Sequence, residues 1–330
     1  MPLVQAAVLA ANAHNTQPWI FELGPDQIDL FADTSRNIGA LDPLRREMHM
    51  SLGCALENLV LAAQAAGYAP SVQLLPTGNE SLVARVALAR APRTDSVLYR
   101  AIPLRHTNRG PYAGRPIERT VLDFIAALND APEVTLIWVA EPAKQRFSDL
   151  TIEAARAIIA DEKQAADDFV WFRQDWDDLQ QRKDGITTDA AGLADVIRIA
   201  AKILPPQSRT GIHRAWLNMA RTRQLPTAAA FGILAVRERD SPAQRMQAGR
   251  LWQRVHLLAT TRGLAMQPLA QTVERADRER SAGLTPVFTG ALQEFTSASW
   301  HAVLPFRIGY PTMTPLRSPR RPASEVTRSR

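Results

Sequence analysis

Two stretches of this chain share the pattern that most limits its fold: a long apolar helix with one glycine near its start and another just past its end. Gly53 and Gly67 are 14 residues apart, and so are Gly249 and Gly263. The apolar residues between them align at a constant offset of 196. The first glycine of each pair permits close approach of another backbone, and the second permits a left-handed helix cap. The repeat therefore predicts an internal duplication, with two similar buried helices in one chain.

The remaining apolar periodicity predicts further helices and strands around this pair. Helices are expected over 3–13, 51–67, 122–128 and 248–264, with a long charged helical stretch over 143–182. Strands are expected over 71–75, 82–89, 134–139, 228–236 and 307–310, and a hairpin over 21–31 that turns at Gly24-Pro25-Asp26. Breaks are expected at Asp184-Gly185 and at Pro205-Pro206.

Charge and composition exclude several classes of protein. The formal charge is +6, but residues 315–330 alone contribute five arginines against one glutamate, so the other 314 residues hold 34 basic and 32 acidic groups. This is a basic tail rather than a basic face, and we expect no nucleic-acid partner. One cysteine excludes an internal disulfide and fits the cytoplasm, and six scattered histidines give no metal-ligand spacing. We expect neither a signal peptide nor a membrane span, because no apolar run approaches the ~20 residues that crossing requires.

The segment Leu104 to Arg109 reads Leu-Arg-His-Thr-Asn-Arg and is enclosed by Pro103 and Gly110-Pro111. Proline and the Gly-Pro pair disfavour a helix through it, so we predict a constrained loop. Guanidinium groups pair well with phosphate oxygens, and the threonine hydroxyl adds a donor. The loop therefore suits a large anion, although the same residues would also make an ordinary solvated basic loop.

Four segments in this order resemble the flavin-dependent nitroreductase family, and within it the fused Acg-type branch. They are His14-Asn15-Thr16-Gln17-Pro18-Trp19, Arg105-His106-Thr107-Asn108-Arg109, Ala248–Leu264 and Arg320-Arg321-Pro322. The resemblance implies an α+β, nitroreductase-like fold in which two lobes of one chain form a pseudo-dimer, with central antiparallel or mixed sheets flanked by helices. It implies an incomplete N-terminal half at 1–98 and a C-terminal half at 99–330. The second half would carry a lid insertion at about 161–193 and a basic C-terminal arm.

The resemblance also implies one FMN per chain, because each flavin of an ordinary nitroreductase takes residues from two subunits and this chain holds one complete set. The cofactor-binding residues so implied are Arg105, His106, Thr107, Arg109, Asn12, Asn15, Pro268, Leu269, Ala270, Gln271, Arg320 and Arg321. The arginine-rich loop would hold the phosphate and ribityl chain, aided by Arg320 or Arg321. Residues 268–271 would direct a backbone amide at flavin N5. No side chain need act as a catalytic acid or base, since the flavin carries the chemistry.

Four other residues are interpreted as structural. We expect Trp19 to seal the core, His14 to make a structural hydrogen bond, and His256 to be a hydrogen-bonded core histidine. Cys54 is expected to be inert packing within its helix.

Two functions follow from the resemblance. The first is an oxidoreductase that passes hydride from NAD(P)H through FMN to nitroaromatic or quinone-type acceptors in a ping-pong scheme. The second is a flavin-storing or redox-sensing protein whose lid excludes NAD(P)H. Trp171, Phe172 and Trp176 in the lid stretch could cover the flavin or could be core. A third interpretation, a helical scaffold whose tail touches nucleic acid, conflicts with the charge distribution. A monomer would suffice for one site, and the acceptor is a small molecule that the sequence does not define.

Overall fold

A computed structural model describes residues 1–314 and 316–329 of the chain. Its α-helices are α1 (Pro2–Ala7), α2 (Arg46–Ala65), α3 (Val97–Ala101), α4 (Arg119–Ala126), α5 (Lys144–Ala160), α6 (Glu162–Phe169), α7 (Trp176–Arg182), α8 (Asp195–Ile203), α9 (Arg209–Met219), α10 (Pro242–Thr261), α11 (Gln271–Ala282) and α12 (Val287–Leu292). Its strands are β1 (Trp19–Leu23), β2 (Gln27–Ala32), β3 (Tyr68–Leu74), β4 (Leu82–Arg90), β5 (Tyr112–Ala113), β6 (Val134–Trp138), β7 (Phe172–Arg173), β8 (Ile186–Thr187), β9 (Ala230–Val236), β10 (Ala265–Pro268), β11 (His301–Pro311) and β12 (Thr327–Ser329).

The strands form two main sheets. The first has the order β12-β1-β2-β4-β3, and it is mixed because β12 runs parallel to β1 while the other pairs are antiparallel. The second is antiparallel in the order β10-β11-β9-β6, with β5 paired to β11. Strands β7 and β8 form a separate parallel ribbon. The α+β class with antiparallel and mixed sheets is therefore confirmed.

Helices α2 and α10 cross between the sheets with their backbones in contact. Both helices have 20 residues, and their bounds keep the predicted offset of 196. A Cβ built on Gly53 would lie against the Met246 carbonyl, 2.9 Å from its carbon, and a Cβ on Gly249 would lie 2.8 Å from the Met50 carbonyl carbon. The crossing is reciprocal, and only glycine fits at either point.

The ends of these helices follow from identifiable caps. Gly67 and Gly263 adopt φ of +86° and +67°, the left-handed caps that the sequence predicted. Helix α2 begins at Arg46, five residues before the predicted start at Ser51. The Asp42 carboxylate explains the difference, because it accepts hydrogen bonds from the Glu47 and Met48 amides at 3.0 and 2.9 Å.

One apolar core extends across both main sheets and both central helices. Trp19 on β1, Leu56 on α2, Leu251 on α10 and Phe306 on β11 belong to a single buried cluster, and all four side chains are fully buried. The core interpretation of Trp19 is confirmed.

The stretch over 143–182 is largely helical, as predicted, but it is not one continuous helix. Helix α5 ends at Ala160, and Asp161 starts α6 by accepting a hydrogen bond from the Gln164 amide at 3.2 Å. The short strand β7 and helix α7 follow. Within the described ranges, no helix is both long and apolar enough to cross a bilayer.

The residues after β11 form an extended arm that crosses to the first sheet. The Phe21 amide donates to the Val326 carbonyl at 2.8 Å, and β12 adds a strand beside β1. Pro319 and Pro322 flank Arg320 and Arg321 and favour this extended course, because proline cannot continue a helix. The strand itself was not predicted.

Candidate functional site

A cavity of about 300 Å³ lies between the N-terminal segment and α2 on one side and the second sheet on the other. This volume is at the lower end of the ~300–1,000 Å³ typical of small-molecule sites. Half of the proposed cofactor-binding residues line it: Asn12, Thr107, Arg109, Pro268, Ala270 and Gln271. The other six lie outside the wall: Asn15, Arg105, His106, Leu269, Arg320 and Arg321.

Arg105 and Arg320 lie together behind the wall that Ala11 and Asn12 form. Arg105 donates to the Leu9 carbonyl at 3.0 Å, and Arg320 donates to the next carbonyl, Ala10, at 3.4 Å. The Nε atom of each arginine is buried without a hydrogen-bond partner.

Within residues 1–314 and 316–329, no carboxylate neutralises these two guanidinium groups. Burial lowers the pKa of Arg105 to about 10, and burial together with the charge of Arg105 lowers the pKa of Arg320 to about 9. No carboxylate raises the pKa of either group. Burying two unpaired cations side by side is unfavourable unless an anion joins them. The residues present therefore fit a phosphate dianion.

Arg321 has a different environment. Its guanidinium approaches the Glu325 carboxylate at 3.9 Å and donates to the Glu325 carbonyl at 3.3 Å. The sequence left open which arginine of the pair meets the anion, and the geometry favours Arg320.

A buried arginine of β11 fixes the backbone at the end of the Arg105–Arg109 loop. Arg307 is fully buried and donates to the carbonyls of Gly110 and Gln224 at 2.7 and 2.8 Å. The Asn108 amide donates to the Met266 carbonyl at 3.1 Å. The loop backbone is thus fixed relative to the second sheet before any ligand arrives.

His256 fixes the same loop from the central helix. Its Nε2 lies 3.1 Å from the carbonyl of His106. Burial holds the pKa of His256 well below its usual value, so the ring is neutral and Nε2 acts as the donor. This agrees with the core-histidine interpretation, and the bond supports the loop rather than a ligand.

The N-terminal segment at residues 14–17 has unusual backbone geometry, and its side chains bind the C-terminal arm. Positive φ angles of 47°, 56° and 54° occur at His14, Asn15 and Gln17. The Asn15 side-chain amide donates to the Pro319 carbonyl at 3.0 Å and its oxygen accepts from Arg320. The Gln17 side-chain oxygen accepts from the Arg321 amide at 2.8 Å. Asn15 therefore positions the arm and one of its arginines.

His14 takes part in a three-residue hydrogen-bond network. Its Nε2 lies 2.7 Å from one oxygen of Asp168, and Nε2 of His213 lies 3.0 Å from the other. Burial raises the pKa of Asp168, but the two histidine hydrogen bonds outweigh it and leave the pKa below its usual value. The network joins the N-terminal segment to α6 and α9, which agrees with a structural role for His14.

Parts of the stretch proposed as a lid, residues 161–193, form one wall of the cavity. Phe172, Arg173, Ile186, Thr187 and Ala191 line it. The stretch ends in close contact with the arginine-rich loop. Arg109 donates to the Ala190 carbonyl at 3.3 Å, and a Cβ on Gly192 would lie 2.8 Å from the Arg109 carbonyl oxygen.

The three aromatic residues of this stretch have different environments. Phe172 faces the cavity. Trp171 packs near the guanidinium groups of Arg36 and Arg173, whose central carbons lie 5.9 and 5.6 Å from its ring centre. Trp176 is 61% exposed. Of the three, Phe172 alone reaches the cavity wall.

The segment Pro268 to Gln271 brings the start of α11 to the cavity. Proline has no amide hydrogen, and Leu269 donates its own to the Pro305 carbonyl at 2.8 Å. Ala270 and Gln271, at the first turn of α11, are the amides left as candidates to face a ligand. A helix start carries partial positive charge and unpaired N–H groups, which suits an electron-rich ligand.

Two acidic side chains that the sequence analysis missed also line the cavity. Glu47 on α2 and Glu274 on α11 share a hydrogen bond, and both are more than nine-tenths buried. Burial, followed by the charge of Glu47, raises the pKa of Glu274 well above its usual value. The pair therefore holds a proton.

Cys54 lies on the cavity wall but is unreactive. Its Sγ is 3.1 Å from the Gly249 carbonyl, and burial raises the pKa of the thiol. The packing interpretation therefore stands. No group of histidine, cysteine and acidic side chains in the described part of the chain could hold a metal ion.

Comparison with known proteins supports the resemblance drawn from the motifs. No family model matches the chain. It is 26% identical over 291 residues to the "Putative NAD(P)H nitroreductase Rv3131" of Mycobacterium tuberculosis, covering 86% of this chain and 78% of that protein. It is 32% identical over 122 residues to the "Putative NAD(P)H nitroreductase acg" of the same organism, covering 34% of this chain and 35% of that protein. The chain is thus a homologue of proteins named as NAD(P)H nitroreductases.

Two solved structures overlap with the fold in part. NfnB from Mycobacterium smegmatis, described as an FMN-dependent nitroreductase in complex with NADPH, covers 70% of this chain and 97% of its own, at 16% identity and a TM-score of 0.42. A nitroreductase with bound FMN from Desulfitobacterium hafniense covers 70% and 96%, at 13% identity and a TM-score of 0.41.

Proposed function

We propose that this chain is an FMN-dependent oxidoreductase that transfers hydride from NAD(P)H to a nitroaromatic or quinone-type acceptor. The observation that carries the proposal is the buried pair Arg105 and Arg320, which has no carboxylate partner in the described part of the chain and lies beside a cavity of about 300 Å³. The homologous nitroreductases of Mycobacterium tuberculosis support it.

In this proposal the chain's residues bind and orient the cofactor. Arg105 and Arg320 would neutralise the phosphate, and Thr107 and Arg109 would hold the chain that follows it. The amides of Ala270 or Gln271 would supply a donor to the flavin ring, and such a donor favours acceptance of hydride. When bound, FMN supplies the hydride transfer between the two substrates.

We also propose that the two halves form an internal pseudo-dimer with a single site. The reciprocal crossing at Gly53 and Gly249 supports this, since equivalent positions meet around one axis. The two cations come from separate parts of the chain: Arg105 lies on the loop at residues 105–109, and Arg320 lies on the arm that reaches the first sheet. A stoichiometry of about one FMN per chain is expected.

Replacement of each cation tests the phosphate site. Arg105→Met and Arg320→Met should each weaken FMN binding about 10- to 150-fold, because a hydrogen bond to a charged group contributes ~1.5–3 kcal/mol. The FMN-free variants should melt no lower than the wild type, because each loses an unpaired buried cation. Titration calorimetry with FMN and thermal melts of the FMN-free proteins measure both quantities.

Arg321→Met is the matched control, because Arg321 lies next in the sequence but contacts Glu325. Its FMN affinity should stay within a few-fold of the wild type. Equal losses at Arg320 and Arg321 would contradict the assignment of the phosphate site. Wild-type protein that takes up no FMN would overturn the proposed function itself.

A second function remains a candidate because the 161–193 stretch lies against the loop. With Phe172 on the wall and Gly192 packed on Arg109, this stretch can act as a lid over bound flavin. The protein would then store flavin or sense its redox state without NAD(P)H turnover. Anaerobic addition of NADPH to FMN-loaded protein separates the two functions: rapid bleaching of the flavin's visible absorption supports the oxidoreductase. A flavin that chemical reductants bleach but NADPH does not would support the lidded protein.

A further inference from the structure

The cavity has a polar region that cofactor binding leaves unexplained. It comprises the carboxyl pair Glu47 and Glu274 and the neighbouring side chain of Gln271, and all three line the cavity. Gln271 is 6% exposed, and its side-chain oxygen has no hydrogen-bond partner. A buried acceptor without a partner is costly, and functional sites are the usual reason for one. This region is therefore equipped to meet a polar ligand group.

We propose that the Glu47–Glu274 pair is the proton donor to a carbonyl-bearing acceptor, of the quinone class, that is reduced in this cavity. The assignment rests on the proposed function for its source of hydride. Glu274 would donate to the acceptor's carbonyl oxygen, and Gln271 would accept from a hydroxyl or amino group of the same molecule.

The reaction balances with one hydride and one proton. Hydride supplied through the bound cofactor brings two electrons to the quinone and leaves negative charge on a carbonyl oxygen. The O–H bond of Glu274 breaks as a new O–H bond forms on that oxygen, giving the hydroquinone. Glu274 is left as a carboxylate beside Glu47 and takes a proton from solvent before the next turnover.

The surroundings explain why the pair keeps a proton above the pH range in which a carboxyl ordinarily loses it. Arg46 contacts Glu47 at 3.2 Å but also pairs with Asp277 at 2.7 Å. Asp168, which is bound by His14 and His213, adds further negative charge facing Glu274.

Behind Glu47, Asp42 adds a fourth carboxyl to the group of Glu47, Glu274 and Asp277 around Arg46. Arg239 and Arg245 are further cations near this group, but both also lie near Asp240, which contacts Arg245 at 3.2 Å. The carboxyls still outnumber these arginines, which favours a shared proton on the Glu47–Glu274 pair.

Infrared spectroscopy tests the assignment without needing flavin. In FMN-free protein at pH 7, the wild type should show a protonated-carboxyl C=O band that is absent from Glu274→Gln. Addition of 1,4-naphthoquinone should shift that band, because the carboxyl would then donate to the quinone. A wild type without the band, or a band that the quinone leaves unchanged, would overturn the proposal.

The FMN-loaded protein supplies a second, independent measurement. In stopped flow, Glu274→Gln should slow flavin reoxidation by 1,4-naphthoquinone by roughly 100-fold, the low end of general-acid contributions. Flavin reduction by NADPH should be unchanged, because that step needs no proton from the pair. Equal loss in both half-reactions would mean that Glu274 has only a structural role.

Glu279→Gln is the matched control for both measurements. Glu279 is a buried carboxyl on the same helix, but it accepts from the Phe288 and Thr289 amides and lies outside the cavity wall. It should retain the band, its shift and the reoxidation rate. If the protein bound no FMN, the infrared result would still decide the carboxyl assignment, so failure of the cofactor proposal and of this one can be told apart.

Discussion

Alanine at position 53 tests the reciprocal helix crossing directly. Its Cβ would lie 2.9 Å from the Met246 carbonyl carbon, whereas carbon atoms in contact settle at about 3.5–4.0 Å. The helices would have to separate by at least about 0.6–1.1 Å, because the carbonyl oxygen would lie closer than its carbon and no side-chain rotation relieves a backbone obstacle. Overpacking costs ~1–3 kcal/mol, and a backbone obstacle places this substitution at ~2–3 kcal/mol; the better helix propensity of alanine returns ~0.5–1 kcal/mol. We expect Gly53→Ala to lower the free energy of unfolding by about 1–2.5 kcal/mol.

The assay is urea unfolding followed by far-UV circular dichroism, with Gly249→Ala and the double variant alongside. Gly249→Ala should lose a similar amount of unfolding free energy, because its Cβ would approach the Met50 backbone as closely as the Cβ added at position 53 approaches the Met246 backbone. The double variant should lose less than the sum, since one separation of the helices accommodates both methyl groups.

Gly290→Ala is the control for the glycine substitution. It lies within α12 with no atom within 4 Å of the added Cβ, so it should raise stability by ~0.5–1 kcal/mol. The reasoning about the crossing is refuted if Gly53→Ala is as stable as the wild type, or if the losses at 53 and 249 are fully additive.

Three other perturbations have defined outcomes. Arg307→Leu leaves the Gly110 carbonyl unpaired and the Gln224 carbonyl with only the Thr227 hydroxyl at 3.5 Å. It should cost ~1–3 kcal/mol for the Gly110 carbonyl and should speed hydrogen–deuterium exchange in the loop; retained protection would contradict its supporting role. Burial, followed by the charge of Glu47, raises the pKa of Asp42 to about 6 from 3.8, so the bound proton contributes its full stabilisation below about pH 4, and that contribution is lost as pH rises through 6. Asp42→Asn should therefore gain up to ~3 kcal/mol relative to the wild type between pH 4 and 7, and an unchanged difference in urea unfolding would argue against that pKa. Removal of residues 318–329 should expose the edge of β1 and cause self-association visible in size-exclusion chromatography, whereas a stable monomer would show that the edge is protected otherwise.

The parts of the fold predicted from sequence are those with local signals. The paired glycines predicted the ends of α2 and α10 to within three residues, although these helices start five and six residues earlier than expected. The hairpin turn at 24–26 placed β1 and β2 correctly. Helix α11 gave no such signal, because its sequence reads as a charged surface helix. It is nevertheless buried, since distant partners neutralise it: Arg275 pairs with Asp161 at 3.1 Å and Arg46 with Asp277 at 2.7 Å.

The candidate site likewise has parts that the sequence predicts and parts that it does not. The motifs identified the loop, the arm and the segment at 268–271, which the structure places around or behind one cavity. Sequence alone could not separate Arg320 from Arg321, because adjacent identical side chains differ only in what surrounds them. One missed residue did leave a signal: Arg307 is a lone charge within the apolar run of β11. Glu274 left none, because its role depends on Glu47, which is far away in the sequence.

The arm has a consequence for the order in which the protein is made. Residues 1–90 contain four of the five strands of the first sheet, but the fifth strand and Arg320 follow only after more than two hundred further residues. While the chain emerges from the ribosome, the Asn15 and Gln17 side chains therefore lack their hydrogen-bond partners until the arm has been synthesised. A nascent chain paused before residue 320 would hold Arg105 without Arg320 and would bind phosphate weakly. Cofactor capture would then be a late event, tied to completion of the arm rather than to folding of the first sheet.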